Sequence, residues 1–463
     1  MSFPKNFIWG VSASSYQIEG AAFEDGKGLS IWDRYTHRPG KIWNNHNGDV
    51  AADHYHRYKE DIALMKEIGV QSYQVSVSWP RVLPDGTGKV NKKGLDFYDR
   101  VIDELLNANI LPIIEIYHWE TPYELYCRGS WLNPDSPDWF ADFTRVLVDK
   151  YSDRVSHWIT MNEPQCFIGE GYWDATAAPG DKLGIKEVLR AGHHALLAHG
   201  KSVQAIRAYS KTSEPAVGII IVGITKMPHT SSKEDIDAAR QLMFMVPDNS
   251  YWENACYWNN TWWFDPVLLG KYPEDGLNLY GRDAPEVGPN DMKIISEPLD
   301  FIGTNIYHAN RVRAGKDGCP EEVIPPPGSP ISAMRWPIEP GCLYWGPKFF
   351  YERYKTPIMI TESGMSNYDT VSLDGKVHDP QRIDFLQKHL LQLEKAIGEG
   401  ADVRGYFQWS IMDNFEWAEG YKERFGLIYV DFVTQQRILK DSAHWYKKVI
   451  ATNGEYIKEN PFK

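Results

Sequence analysis

Cysteine is scarce in this sequence and follows no pairing pattern. The five, Cys127, Cys166, Cys256, Cys319 and Cys342, are widely spaced and include no Cys-x-x-Cys pair, which argues against a disulfide framework or a cysteine zinc site and predicts free thiols. Long hydrophobic runs are missing too. The longest clearly apolar stretch, residues 217–224, falls far short of the roughly 20 residues that cross a bilayer, so no membrane partner is expected. No basic block occurs, and 49 Lys and Arg against 62 Asp and Glu leave a formal net charge of -13. That balance argues against nucleic acid as a partner, because such binding rests on cations that neutralise phosphates. The start, Met1-Ser2-Phe3-Pro4-Lys5-Asn6-Phe7, lacks the charged opening and the apolar core of about 7–15 residues that mark a signal peptide, so the expected location is cytoplasmic.

The chain does have apolar residues at 43%, charged residues at 24% and many aromatics, including 18 Trp and 26 Tyr. Those are the proportions of a soluble globular protein. No shift in composition marks a second domain, and one unit over residues 1–463 is expected. Strand-like runs recur at Phe7–Ser12, Ser72–Ser78, Leu111–Tyr117, Ser156–Met161, Val217–Val222, Asp300–Asn305, Pro357–Thr361 and Arg404–Trp409. Helical patterns lie between them. After the seventh run, Asp379 reads as an N-cap with Pro380 at the first helical position, followed by Ile383, Leu386, Leu390, Leu393 and Ile397 at helical spacing. A second helix is expected from about Gly94 to Asn107. Eight strand–helix units predict an α/β fold, a closed parallel (β/α)8 TIM barrel with its site at the strands' C-terminal ends. The Pro-rich stretch 325–330 falls between the sixth and seventh runs and reads as a long loop at that end.

Two strand ends carry a glutamate each: Thr160-Met161-Asn162-Glu163-Pro164 and Ile360-Thr361-Glu362-Ser363-Gly364. A pair of carboxylates suits chemistry on sugars, where one acid protonates a glycosidic oxygen while the other attacks or activates water. Other strand ends supply Gln17, His118, Trp119, Asn305, Tyr307 and Trp409. Amides, imidazole and carboxylates serve sugar hydroxyls, and flat aromatic faces serve the C–H face of the ring.

Four ordered motifs carry a resemblance over nearly the whole length. They are Phe7-Ile8-Trp9-Gly10-Val11-Ser12-Ala13-Ser14-Ser15-Tyr16-Gln17-Ile18-Glu19-Gly20, Asn162-Glu163-Pro164, Ile360-Thr361-Glu362, and Asp413-Asn414-Phe415-Glu416-Trp417 followed by Arg424-Phe425-Gly426. With them the chain resembles the β-glucosidases of glycoside hydrolase family 1, most of all the bacterial ones. The resemblance implies a retaining double displacement with Glu163 as general acid/base and Glu362 as nucleophile. It implies that Gln17, His118, Asn162, Glu416 and Trp417 bind the hydroxyls of the terminal sugar, with Trp409 beneath the ring. Tyr307 would hydrogen-bond the nucleophile and Trp336 would line the aglycone side. Trp119, Asn305 and Phe425 complete the expected substrate-binding set. No cofactor is implied. The partner is a small-molecule β-glycoside or oligosaccharide, with a homo-oligomer left open.

Several positions depart from that pattern. Relatives usually carry arginine, a donor to the nucleophile, where this chain has Gln74, so Glu362 is expected to be less acidic unless another cation, such as Arg335, takes its place. Ser363 replaces the asparagine that generally follows the nucleophile. Glu120-Thr121 stands where Asp-Leu is typical, and Glu115 puts a carboxylate inside a strand, where burial demands a partner or a proton. Glu163 is expected in a drier, protonated setting and Glu362 among donors that keep it ionised. His54, His56, His193, His194 and His199 miss metal-ligand spacing, and no metal is expected. The other readings are a phospho-β-glycosidase, disfavoured by acid at and after Glu416, a sugar-binding protein with a retired site, and an enzyme that mainly transfers glycosyl units.

Overall fold

In the computed structural model, which describes residues 2–461, eight parallel strands close into a barrel. They are β1 (Ile8–Ala13), β2 (Ser72–Ser76), β3 (Leu111–Glu115), β4 (His157–Asn162), β5 (Ala216–Val222), β6 (Ile302–Asn305), β7 (Ile358–Ser363) and β8 (Val403–Trp409). Each strand pairs with the next in sequence, and β8 closes on β1. All eight expected runs form strands, with ends that differ by one or two residues because the pleat dies out where loops begin. Met1, Phe462 and Lys463 of the expected 1–463 unit lie outside the described residues.

Side chains alternate between the barrel interior and the helix layer. Ile113, Ile159, Ile220, Phe301, Met359 and Phe407 form an inner cluster that fills the barrel's lower half. Gly10 makes room for this filling, since a Cβ there would lie 2.3 Å from the Phe407 ring. Two residues beyond Ile113 stands Glu115, and two beyond Phe407 stands Trp409, so the same pleat that fills the floor turns these side chains into the mouth.

Strand faces toward the outside pack on helices in a second, larger core. The helix after β7 spans Pro380–Gly398 with Asp379 at its N-cap position. Its carboxylate does not cap that helix. It accepts from the Ser442 backbone N–H at 2.8 Å and hydroxyl at 2.6 Å, and it pairs with Arg382, so it ties the final helix, Asp441–Ala451, to the barrel. The helix expected from Gly94 runs Lys92–Asn107.

Five short strands lie outside the barrel among the described residues. Thr225–Pro228, Ala309–Ala314 and Pro320–Glu322 form a small sheet from the loops after β5 and β6. The Pro-rich 325–330 stretch follows it as irregular loop. Among the described residues no helix is long and apolar enough to cross a membrane.

Candidate active site

Glu163 follows directly on β4 with a left-handed backbone, φ 49°. This conformation is unfavourable for a residue with a Cβ, and the turn is pinned on both sides. The Asn162 N–H donates to the Tyr117 carbonyl at 3.0 Å and the Glu163 N–H to the Ile220 carbonyl at 2.9 Å. The pinned kink turns the chain out of the sheet, and the side chain lines the cavity at the barrel mouth. Glu362 lies near the end of β7, where the register shifts against both β6 and β8, the kind of bulge that re-aims a side chain. It lines the same cavity, which holds about 410 Å³, within the range of small-molecule sites.

Each glutamate has its own donors. Asn305 Nδ2 donates to Glu163 Oε1 at 2.8 Å, and the Cys166 thiol donates to Oε2 at 3.3 Å. The Tyr307 hydroxyl donates to Glu362 Oε2 at 2.6 Å, while Oε1 has no protein partner. Burial raises the Glu163 carboxyl above its ordinary pKa, against the pull of Asn305, His118 and Cys166. Burial also raises Glu362, well above its ordinary value, helped by the charge of Glu163 and then of Glu115 and Glu416, and opposed by the Tyr307 bond. Like charge between two buried carboxyls raises both and couples their titrations.

The rise at Glu362 runs against donors that keep it ionised and in the direction expected where Gln74 stands in place of an arginine. Burial is the first cause and the Glu163 charge the second, with no cation among the groups that act on it most. Gln74 turns its amide to Glu115 at 3.0 Å. Arg335 is exposed and lines an outer groove with Tyr368 and Asp384, so it does not stand in for a cation at the mouth. Ser363 is buried with its hydroxyl unpartnered and its carbonyl accepting from Tyr406 at 3.3 Å.

Of the expected residues, His118, Trp119, Glu163, Asn305, Tyr307, Trp336, Glu362, Trp409, Glu416, Trp417 and Phe425 line the cavity together. Aromatic faces make its walls. The Trp119 and Trp417 rings stack at 4.5 Å, the His118 and Trp409 rings lie nearly parallel at 6.1 Å, and Trp336 packs on Tyr307 at 5.1 Å and Phe425 at 6.0 Å. Gln17 and Asn162 sit just behind this wall. Gln17 Nε2 donates to the Phe415 carbonyl at 2.9 Å and reaches Glu416 at 3.4 Å. Asn162 Oδ1 accepts from Asn305 at 3.1 Å, and its Nδ2 lies 3.2 Å from His118 Nε2. Glu416 is pushed up to about 8, first by burial and then by Glu423, Glu163 and Glu419. Its side chain is partly uncovered because it faces the cavity.

Several cavity residues escape the strand-end logic, among them four polar or titratable side chains. Cys166 and Glu170 come from Gln165–Asp174, a π-helical segment after Glu163. His308 and Asn310 border the small outer sheet. Glu170 is pushed up to about 8 by burial, then by Glu163 and Asp174, and burial drives His308 down to about 4. Only Cys166 left a signal in the sequence, since it lies three residues past Glu163, one turn away.

Glu115 is fully buried, with Gln74 on one oxygen and His118 Nδ1 at 2.9 Å from the other. Glu120, also buried, accepts from Ser78 at 2.9 Å and from Ser15, and burial pushes it up to about 7. The other histidines make structural bonds: His54 to Asp61 at 2.7 Å, His193 to Tyr272 at 2.9 Å and His199 to Thr160 at 2.7 Å. No group of three or more metal-ligating side chains is placed to hold an ion among the described residues.

The model of glycosyl hydrolase family 1 matches residues 1–455. The chain is 44% identical over 453 residues to beta-glucosidase A of Thermotoga maritima, with 98% of each chain covered. It is 42% identical over 462 residues to beta-glucosidase A of Acetivibrio thermocellus, covering 98% of this chain and 99% of the relative. A solved family 1 β-glucosidase from Thermotoga maritima has the same fold, with a TM-score of 0.88 at 43% identity over 98% of this chain and 99% of that one. A closed barrel with two glutamates lining the cavity at its mouth, and likeness over nearly its full length, make this chain a member of glycosyl hydrolase family 1 and a glycoside hydrolase.

Proposed function

We propose that the enzyme is a β-glucosidase that releases terminal nonreducing β-D-glucosyl units by retaining double displacement. The observation that carries this reading is that Glu163 and Glu362 line one aromatic-walled cavity, each with its own hydrogen-bond donors. Glu163 is held by Asn305 and stays protonated until the glycosidic oxygen takes its proton. Glu362, ionised in the reactive form and steered by Tyr307, attacks the anomeric carbon from the opposite side as the aglycone leaves. The resulting ester carries no charge, so Glu163 can now part with a proton and act as base toward water. Water delivers a hydroxyl to the anomeric carbon, its proton returns to Glu163, and Glu362 leaves as carboxylate. A sugar acceptor in place of water gives transfer. Glu419 and Glu423, whose charges act on Glu416, disfavour a sugar that carries a dianionic phosphate. We place the enzyme in the cytoplasm, which its five free thiols support.

Incubation with a 2-deoxy-2-fluoro-glucosyl fluoride and intact-mass analysis tests the mechanism. A covalent adduct on Glu362 is expected, and its absence sinks the retaining reading in favour of a sugar-binding protein. A panel of aryl β-glycosides and a 6-phosphoglucoside tests the substrate, with faster cleavage of the phosphorylated sugar overturning the assignment.

A further inference from the structure

The barrel mouth holds a carboxylate that neither proton transfer nor attack uses. Glu115 ends β3, points inward by the pleat that places Ile113 in the floor, and is fully buried. Gln74, one strand away on β2, donates to its Oε2 at 3.0 Å. Its Oε1 lies 2.9 Å from His118 Nδ1, without the alignment of a hydrogen bond. His118 in turn forms part of the cavity wall, with Nε2 3.2 Å from the side chain of Asn162, the residue before Glu163. The charged and titratable groups at this mouth are Glu115 at the end of β3 and His118 after it, Glu163, Cys166 and Glu170 after β4, Tyr307 and His308 after β6, Glu362 on β7, and Glu416 and Glu419 after β8. All the carboxylates among them are of one sign, and the negative charge of Glu115 acts on both Glu163 and Glu362.

We propose that Glu115 is a positioning residue for the glycosidase reaction, which holds the His118 ring against the sugar-facing wall and acts by its charge on the two reacting glutamates. With the Nδ1 proton on the side of Glu115, Nε2 carries the lone pair that faces the Asn162 amide at 3.2 Å and can accept from a sugar hydroxyl in its place. Gln74 fixes the carboxylate for this task. The inference rests on the proposed roles of Glu163 and Glu362, and its test separates the two readings.

Glu115→Gln keeps shape and removes the charge. The expected result is a kcat/KM profile in which both limbs move to lower pH, by roughly one unit, with KM raised and the fluoro-sugar adduct still formed on Glu362. A merely structural Glu115 lowers stability and leaves both limbs in place, and unmoved limbs in a folded variant overturn the inference while the adduct upholds the mechanism. No adduct in the unsubstituted enzyme instead overturns the mechanism. Should Glu115→Gln not fold, 15N spectra of the unsubstituted enzyme decide, with the His118 signals assigned by their loss in His118→Asn. A protonated Nδ1 across the active pH range is expected, and a bare Nδ1 rejects the hold by Glu115.

Discussion

Gln74 gives its side-chain amide to Glu115 at 3.0 Å, and Glu362 is left with the Tyr307 hydroxyl at 2.6 Å on one oxygen and no protein partner on the other. Position 74 thus serves a neighbouring strand's carboxylate and adds no donor to Glu362. Gln74→Leu would strip Glu115 Oε2 of its bond within a fully buried site. A lost hydrogen bond to a charged group costs about 1.5–3 kcal/mol. Urea unfolding at neutral pH should show a loss in that range, and a change within about 0.5 kcal/mol, the scatter of ordinary surface substitutions, would mean that the bond carries little.

Tyr307 should matter more for rate than for stability. Its hydroxyl opposes the rise that burial and Glu163 impose on Glu362. In Tyr307→Phe Glu362, the proposed nucleophile, therefore holds its proton to higher pH, and the acidic limb of kcat/KM moves up. The loss of a bond to the charged form, at about 1.5–3 kcal/mol, corresponds to a roughly ten- to hundred-fold lower kcat/KM at neutral pH. A profile with the old acidic limb would show that the hydroxyl does not support the ionised carboxylate.

The barrel was legible because its strands are β-branched runs of the right length, with helical spacing between them, and the pleat's period of two then dictates which residues face the mouth. By that rule Glu163, Glu362, His118 and Trp409 could be drawn to one cavity from positions hundreds of residues apart. The rule fails where the backbone leaves the strand. Glu170 and His308 reach the cavity from a π-helical segment and an outer sheet, whose paths depend on packing between distant loops. Direction was harder still. Sequence placed Gln74 near Glu362, but its amide turns to Glu115, because a buried carboxylate takes the nearest donor in order to avoid standing unpaired. Asp379 is a similar case: it was read at the start of its own helix and sits there, yet its oxygens serve Ser442 of another.

Cys166 tunes the other acid. Its thiol donates to Glu163 Oε2 at 3.3 Å and pulls that carboxyl down against burial. Cys166→Ala removes the donor, so Glu163 keeps its proton to higher pH and the basic limb of the kcat/KM profile moves up. Cys166→Ser offers a stronger donor and should move the same limb down. The opposite signs from one position are the measurement, and shifts in the same direction for both variants would assign the effect to packing.

Glu120 links pH to stability. Buried and pushed up to about 7 by desolvation, with the charge of Glu19 adding to it, this carboxyl is protonated in the folded chain over a pH range where the unfolded chain has released the proton. The folded state binds more protons there, so the slope of stability with pH is negative. Its contribution is complete below the ordinary carboxylate range and is lost as the pH rises through about 7. Glu120→Gln holds the neutral form at all pH, and its amide can still accept from Ser78 and donate to Ser15, the two hydroxyls that Glu120 now meets. Thermal unfolding of both proteins at about pH 5 and about pH 8 isolates this group from the other titrating residues, since their changes cancel in the difference. The variant should gain melting temperature relative to the unsubstituted chain at the higher pH and show little difference at the lower. A constant difference across that interval would mean that Glu120 is ionised in the folded protein, with Lys27, the cation that acts on it, outweighing its burial.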